Sequence, residues 1–486
     1  MQPSFSRISG LVIVILFFSF RLTAQNNLLY SYQALSKFSL AKQKDSIKKN
    51  WLCPELFKDK ATQKKYKELW EERTSFIIGA IDANNFITEG DIYNYINQLI
   101  VELTKGNASL IKQPQLLLID RSASVNAYAV GGNVIAVNLG LITFSKTREE
   151  IALVVAHELS HNILNHAENS MSEMAVWLTS EEYKNSVNAV LDSKYERLTK
   201  LKKVMQAYTF SRSKHHRYHE SDADSLAIIL LKNSHISFDP AVFLRLDSAD
   251  NAYRQPLKNS TKNYFSSYNV PMEDWWFAKR SKGLSSKSYN FKDSSGLDDS
   301  LKTHPDCIER YRKTQSMATV KGTFTPVFTE VQEKANKMII WNMYDNLDLT
   351  ACLYRVLLEK DKGNADVWYD FMMHNIFAGL YYSDKKLNRF NAIGIKPKEY
   401  ISKNYYELQN LLEQMPVDNL VQFYKSSYNQ NFWLNMPAES KGLKTLMSAV
   451  LFESEESDKK KSIAAKEFID NNPTSMYCEF ADHFKK

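Results

Sequence analysis

Apolar positions recur with helical spacing from Asn26 to about Lys105. In "DIYNYINQLIVELTKGN", Ile92, Ile96, Leu99, Ile100 and Leu103 fall on one face. The period then shortens. "QLLLID" (115–120) predicts a short apolar strand, and "NAYAVGGNVIAVN" (126–138) predicts two strands around Gly131-Gly132-Asn133, where glycine supplies the positive φ of a tight turn. "NVIAVN" (133–138) is expected to form an edge strand beside the next helix, because it directly precedes that helix and its hairpin partner covers one side only. "IALVVAHELSHNILNH" (151–166) comes next as a helix that is apolar on nearly every side before its histidines, opened by Thr147 and Glu150 at capping-box spacing.

A long polar helical insert is predicted over about 172–209, either a gate over a cleft or a solvated helical hairpin. Another helix then carries "HESDADSLAIILL". Residues 250–300 are rich in Ser, Lys, Asn and aromatics without periodicity, which predicts a loop-rich insert. Past the linker-like "GTFTPVF" (322–328) the pattern is helical to Lys486. The expected architecture is mainly α, of the α+β class: a first domain over 25–325 with a small edge-stranded sheet, and an all-helical domain over 326–486.

Residues 1–24 read as an export signal. Arg7 gives the positive start, Leu11 to Phe20 the short apolar run, and Leu22-Thr23-Ala24 small residues for cleavage near Ala24. Arg21 breaks that run well before the roughly 20 apolar residues needed to span a bilayer, so no transmembrane helix is expected in the mature chain. The formal net charge of +7 is spread among acids without an aromatic-interleaved basic stripe, which disfavours nucleic acid as a partner. Cys53, Cys307, Cys352 and Cys478 are too few for a disulfide scaffold and show no Cys-x-x-Cys spacing.

His157 and His161 are four apart, so on a helix they share a face and can grip one ion, with Glu158 beside them. In this H-E-x-x-H arrangement two imidazoles bind zinc and the adjacent carboxylate takes a proton from water. A catalytic zinc needs a third protein ligand. Six residues past His161 stands Ala167, and His166, about 140° around an ideal helix from His161, is expected to face away in a packing or solvent role. Glu220 is the better candidate. It shares a face with Asp224 at i, i+4, where Asp224 can accept the free ring N–H of a ligating histidine. Taken alone, such a pair reads as a solvated surface; the His pair and the apolar "LAIILL" behind it argue for a site. His215, His216 and His219 are expected at the surface.

At these residues the sequence resembles zinc metallopeptidases of the CAAX prenyl endopeptidase and HtpX type, which are gluzincins. The ordered matches are "NAYAVGGNVIAV", "HELSHNILNH", "ESDAD" and "THPDCIER", over about 120–310. The resemblance implies one zinc ion on His157, His161 and Glu220, Glu158 as base, Asp224 in support, and His304 and Arg310 near the cleft, where either is expected as a catalytic residue that stabilises the oxyanion. It implies polypeptide substrates and, for the exported branch, periplasmic work on cell-envelope proteins. "YDNLDLTACLYRVLLEKDKGNADVWYDFMMHNIFAGLYYS" resembles the join of two tetratricopeptide repeats and so implies protein partners for the C-terminal helices, although Lys362 stands where the repeat prefers proline. The rival expectation is a chaperone-like binding module whose zinc site is structural or idle.

Overall fold

The computed structural model describes residues 37–278 and 307–485, apart from short breaks at 83–84, 194, 252, 320–322, 453–457, 474 and 476. The predicted leader, residues 1–24, and the candidate His304 lie outside the described residues. Among those described, no helix is long and apolar enough to cross a membrane.

The helical spacing near the start gives α1 (Lys37–Asn50), α2 (Lys60–Asp82) and α3 (Asp91–Gly106). In α3 the predicted stripe of Ile92, Ile96, Leu99, Ile100 and Leu103 is buried, each such side chain contributing roughly 1.5–3 kcal/mol. The strands are β1 (Phe86–Ile87), β2 (Leu116–Asp120), β3 (Ala127–Gly131) and β4 (Val134–Asn138). Gly131 and Gly132 adopt φ of 81° and 57° in the β3–β4 turn, with Asn133 at 62°. A side chain on Gly132 would collide with the Trp51 indole, 2.0 Å from an ideal Cβ, so the position needs glycine twice over.

The sheet order is β1-β2-β4-β3, with β2 and β4 parallel and β3 and β4 antiparallel. This corrects the expectation for residues 133–138. β4 is an internal strand, buried at all five residues, and β1 and β3 are the edge strands. The physical reason is that β2 reaches past its chain neighbour to pair with β4, covering the side the hairpin leaves open. A strand covered on both edges and both faces reads as a continuous apolar run, as "VIAV" does. Leu118, Val134 and Ala136 pack with Ile47, Trp51, Ile77 and Ile81 of the N-terminal helices. The alternate residues Leu117, Ile119, Ile135 and Val137 are equally buried on the opposite face.

Because Asn138 N–H donates to Asn126 O across the hairpin, the amide of Val137 points to β2 instead. Val137→Pro should therefore prevent folding, leaving insoluble protein or one without a cooperative melt by circular dichroism; a soluble, stable variant would contradict the internal placement.

Past α4 (Leu139–Phe144), α5 (Arg148–Ile163) carries the His-Glu motif, and its capping box forms in both directions between Thr147 and Glu150. The predicted polar insert resolves into α6 (His166–Thr179), α7 (Glu181–Leu191) and the start of α8 (Arg197–Asn233). One 37-residue helix thus spans the end of that insert and Glu220 together. α8 packs along α5, and α9 (Ala241–Asp247) and α10 (Cys307–Thr314) pack on each other.

Residues 37–255 and 307–342 form one compact unit; residues 256–278 and 343–485 form another. The division near 325 drawn from the linker pattern is displaced, because Arg148 N–H donates to Thr325 O and Gln332 donates to the carbonyls of Ile142 and Ser145. It falls instead inside α11 (Thr329–Asp345). The second unit holds α12 (Leu349–Asp361), α13 (Trp368–Lys385), α14 (Arg389–Ile393), α15 (Lys403–Gln414), α16 (Val417–Tyr428), α17 (Ala438–Met447), α18 (Asp458–Asn471) and α19 (Cys478–His483). Residues 256–278 supply aromatic anchors to it, with Phe265 and Tyr268 against Phe423 at 6.1 and 4.4 Å between ring centres.

Candidate metal centre

Helix α5 is buried almost all round, with Ile151, Ala152, Val155, Ala156 and Leu159 at 0% exposure, so the polar residues interspersed with them on its later turns are also held in the interior. His157 and His161 sit one turn apart there, and Glu220 reaches them from α8. The Nε2 atoms of the two histidines are 3.1 Å apart; Glu220 Oε2 lies 3.3 Å from that of His157 and Oε1 lies 3.5 Å from that of His161. Zinc bonds of about 2.0–2.1 Å at tetrahedral angles require ligand separations of about 3.3–3.4 Å. The three side chains therefore fit one zinc ion, and among the described residues no other group of His, Cys, Asp or Glu meets the same test. Gathering these polar groups in an apolar interior is costly without a cation to share them.

His157 is held from behind. Its Nδ1 donates to Asp224 Oδ1 at 2.9 Å, and Asp224 accepts two further bonds from Arg310, from Nε at 2.8 Å and from Nη2 at 2.5 Å. Burial pushes the His157 imidazole down, but hydrogen bonds to Asp224 and Glu220 outweigh it and raise it to about 9. Burial pushes the Asp224 carboxyl up, and the bonds from His157 and Arg310 more than reverse this, holding it below the usual carboxylate range. Arg310 is buried and lies over the Phe243 ring at 4.4 Å. The structure thus places Arg310 on Asp224, as a residue that positions the His157 support. Asp224→Asn keeps the shape but removes the charge that holds the His157 ring; zinc affinity should fall about 10- to 100-fold in competition with a chelator.

Glu158 is buried at 4% exposure and points to the sheet, where its Oε2 accepts the Ala129 N–H at 2.7 Å. That bond puts the carboxylate at the outer edge of β3. The far end of β3 is pinned by Arg73, whose guanidinium lies between the Trp51 and Trp70 rings at 4.3 and 4.2 Å. Arg73 donates to Val130 O and to Glu168, and Glu168 accepts Gly132 N–H. No motif marks Arg73 or Glu168. For Arg73, its place among aromatics in "WEERTSF" is the one trace in the sequence.

His166 departs from its expected place. It is buried, and its Nδ1 lies 2.8 Å from His161 Nδ1. The angle around an ideal helix does not apply because α5 stops at Ile163: Asn165 takes a left-handed conformation at φ 53°, ψ 37°, and the chain turns back. Burial, and then the neighbouring His219, push the His166 imidazole down to about 4. His219 is half-buried and stacks on His166 at 4.2 Å, which also corrects its surface placement.

Comparison with known proteins agrees with this geometry. An 89-residue stretch is 32% identical to a protein of Vibrio cholerae serotype O1 (strain ATCC 39315 / El Tor Inaba N16961) named beta-barrel assembly-enhancing protease. The match covers 18% of each chain, so most of both lies outside it. The family profile that matches this chain does so over residues 89–318, a span containing His157, Glu158, His161, Glu220, Asp224 and Arg310, and it is the profile of peptidase family M48.

Proposed function

We propose that the chain is a zinc-dependent metalloendopeptidase, in which His157, His161 and Glu220 hold the ion and Glu158 serves as general base and acid. The observation that carries this reading is the convergence of three ligand side chains at near-tetrahedral spacing, with a buried carboxylate on the residue after the first of them. Zinc held there would supply Lewis acidity toward a scissile carbonyl and toward water. Glu158 takes the proton from the attacking water and hands it to the leaving amine, so the carboxylate ends each cycle as it began. Asp224, held by Arg310, keeps the His157 ring turned to the site.

The substrate is an extended polypeptide lying along β3. In the β3–β4 ladder, Tyr128 faces Ala136 as a bonded pair, so the amides of Ala127 and Ala129 point to the outer edge, where that of Ala129 donates to Glu158 and would pass to the substrate chain as the carboxylate turns to water. Main-chain pairing at an open edge carries no side-chain code, so cleavage is broad and requires locally unfolded chains. The leader-like start and the name of the Vibrio protein support exported, misfolded cell-envelope polypeptides as the substrates. The helical unit over 343–485, read as tetratricopeptide-like, then serves to recruit clients.

Unfolded casein tests the reading. Chelation with 1,10-phenanthroline should abolish its cleavage and added zinc should restore it; cleavage indifferent to chelator would overturn the assignment.

A further inference from the structure

We propose that His166 is a positioning residue that fixes the ring of His161 by accepting a hydrogen bond from it, and that its own ring is braced by His219. This rests on the zinc reading above and adds a partner for the second histidine ligand.

His161 Nε2 is the nitrogen that faces His157 Nε2 and Glu220, at 3.1 and 3.5 Å, so it is the ligand atom. A ring nitrogen that gives its lone pair to a metal leaves the ring proton on the other nitrogen, here Nδ1. His166 Nδ1 stands 2.8 Å from it, a distance that requires one proton between the two atoms. His161 donates and His166 accepts, so His166 carries its own proton on Nε2. The two ligating imidazoles thus have unlike supports: a carboxylate, Asp224, behind His157 and a neutral imidazole behind His161.

The chain is built to deliver His166 there. Leu164 at ψ −1° and Asn165 at φ 53° reverse the backbone between α5 and α6, and asparagine tolerates the left-handed region better than most residues. The His166 ring then packs nearly parallel to His219, with 10° between the planes. His219 directly precedes Glu220 on α8, so the stack joins the carboxylate ligand's helix to the support of a histidine ligand on α5. A shift of His166 would loosen ligands from both helices.

The test compares variants that keep or lose the acceptor. In His166→Asn the amide oxygen takes the place of Nδ1; in His166→Leu no acceptor remains. Zinc affinity is measured by competition with a chromophoric chelator, and folding by thermal melting of the zinc-depleted proteins. We expect His166→Leu to bind zinc about 10- to 100-fold more weakly and His166→Asn to recover most of that loss. Equal affinities in wild type and His166→Leu would overturn the proposal, as would an equal loss in both variants, which would make His166 a packing residue only. Should His166→Leu fail to fold, histidine ring nitrogen resonances of the zinc-loaded wild type decide: a proton on Nε2 of His166 is expected, and one on Nδ1 contradicts the assignment. Wild type that binds no zinc would overturn the metal reading itself; tight binding indifferent to both variants would overturn the role of His166 alone.

Discussion

Glu220→Ala should leave a folded protein that no longer retains zinc through purification. Glu220 is buried at 4% exposure and touches the ligand nitrogens of both His157 and His161, so its loss leaves two imidazoles from one helix and no link to α8. Zinc binding by a full protein ligand set is worth about 10–16 kcal/mol, or roughly 3 kcal/mol for each of four ligands. Removing one should weaken binding by a factor on the order of a hundred or more. Since a ligand that binds only the native state stabilises it, chelation should lower the melting temperature of wild type and leave that of Glu220→Ala unchanged. Metal analysis by mass spectrometry on both proteins checks the first point, and melting with and without chelator checks the second. Full zinc content in Glu220→Ala would place the metal elsewhere.

The ligand set is legible in the sequence because its spacing is local. His157 with His161, and Glu220 with Asp224, are each one helical turn apart, and i, i+4 pairs meet on any helix whatever the tertiary fold does. The parts that escape the sequence depend on long-range choices. Pairing of β4 with β2 is a non-local event, and the order of strands along the chain gives β4 an open edge that the sheet does not leave it. His166 escapes because one left-handed residue, Asn165, lies between it and the helix from which its angle is reckoned. Residues 256–278 show no periodicity because they contribute isolated anchors such as Phe265 and Trp276, an arrangement with no repeat to detect. For Arg310 the motif gives a place near the cleft, and only the bonds to Asp224 show what it holds.

Glu158→Gln is the second large effect expected, and it separates chemistry from assembly. The amide keeps the size of the carboxylate and an oxygen to accept the Ala129 N–H, so the fold, the edge of β3 and the ligand set should persist. What it loses is the capacity to take a proton from water and return one to the leaving amine. General acid–base catalysis of this kind is worth about 10²–10⁴ in rate. The most direct measurement is the cleavage rate of fluorescent unfolded casein by wild type and Glu158→Gln, each with zinc per chain determined on the same sample. Equal zinc content and a rate lower by about 10²–10⁴ in the variant are predicted; equal rates at equal zinc content would contradict a role for Glu158 in proton transfer.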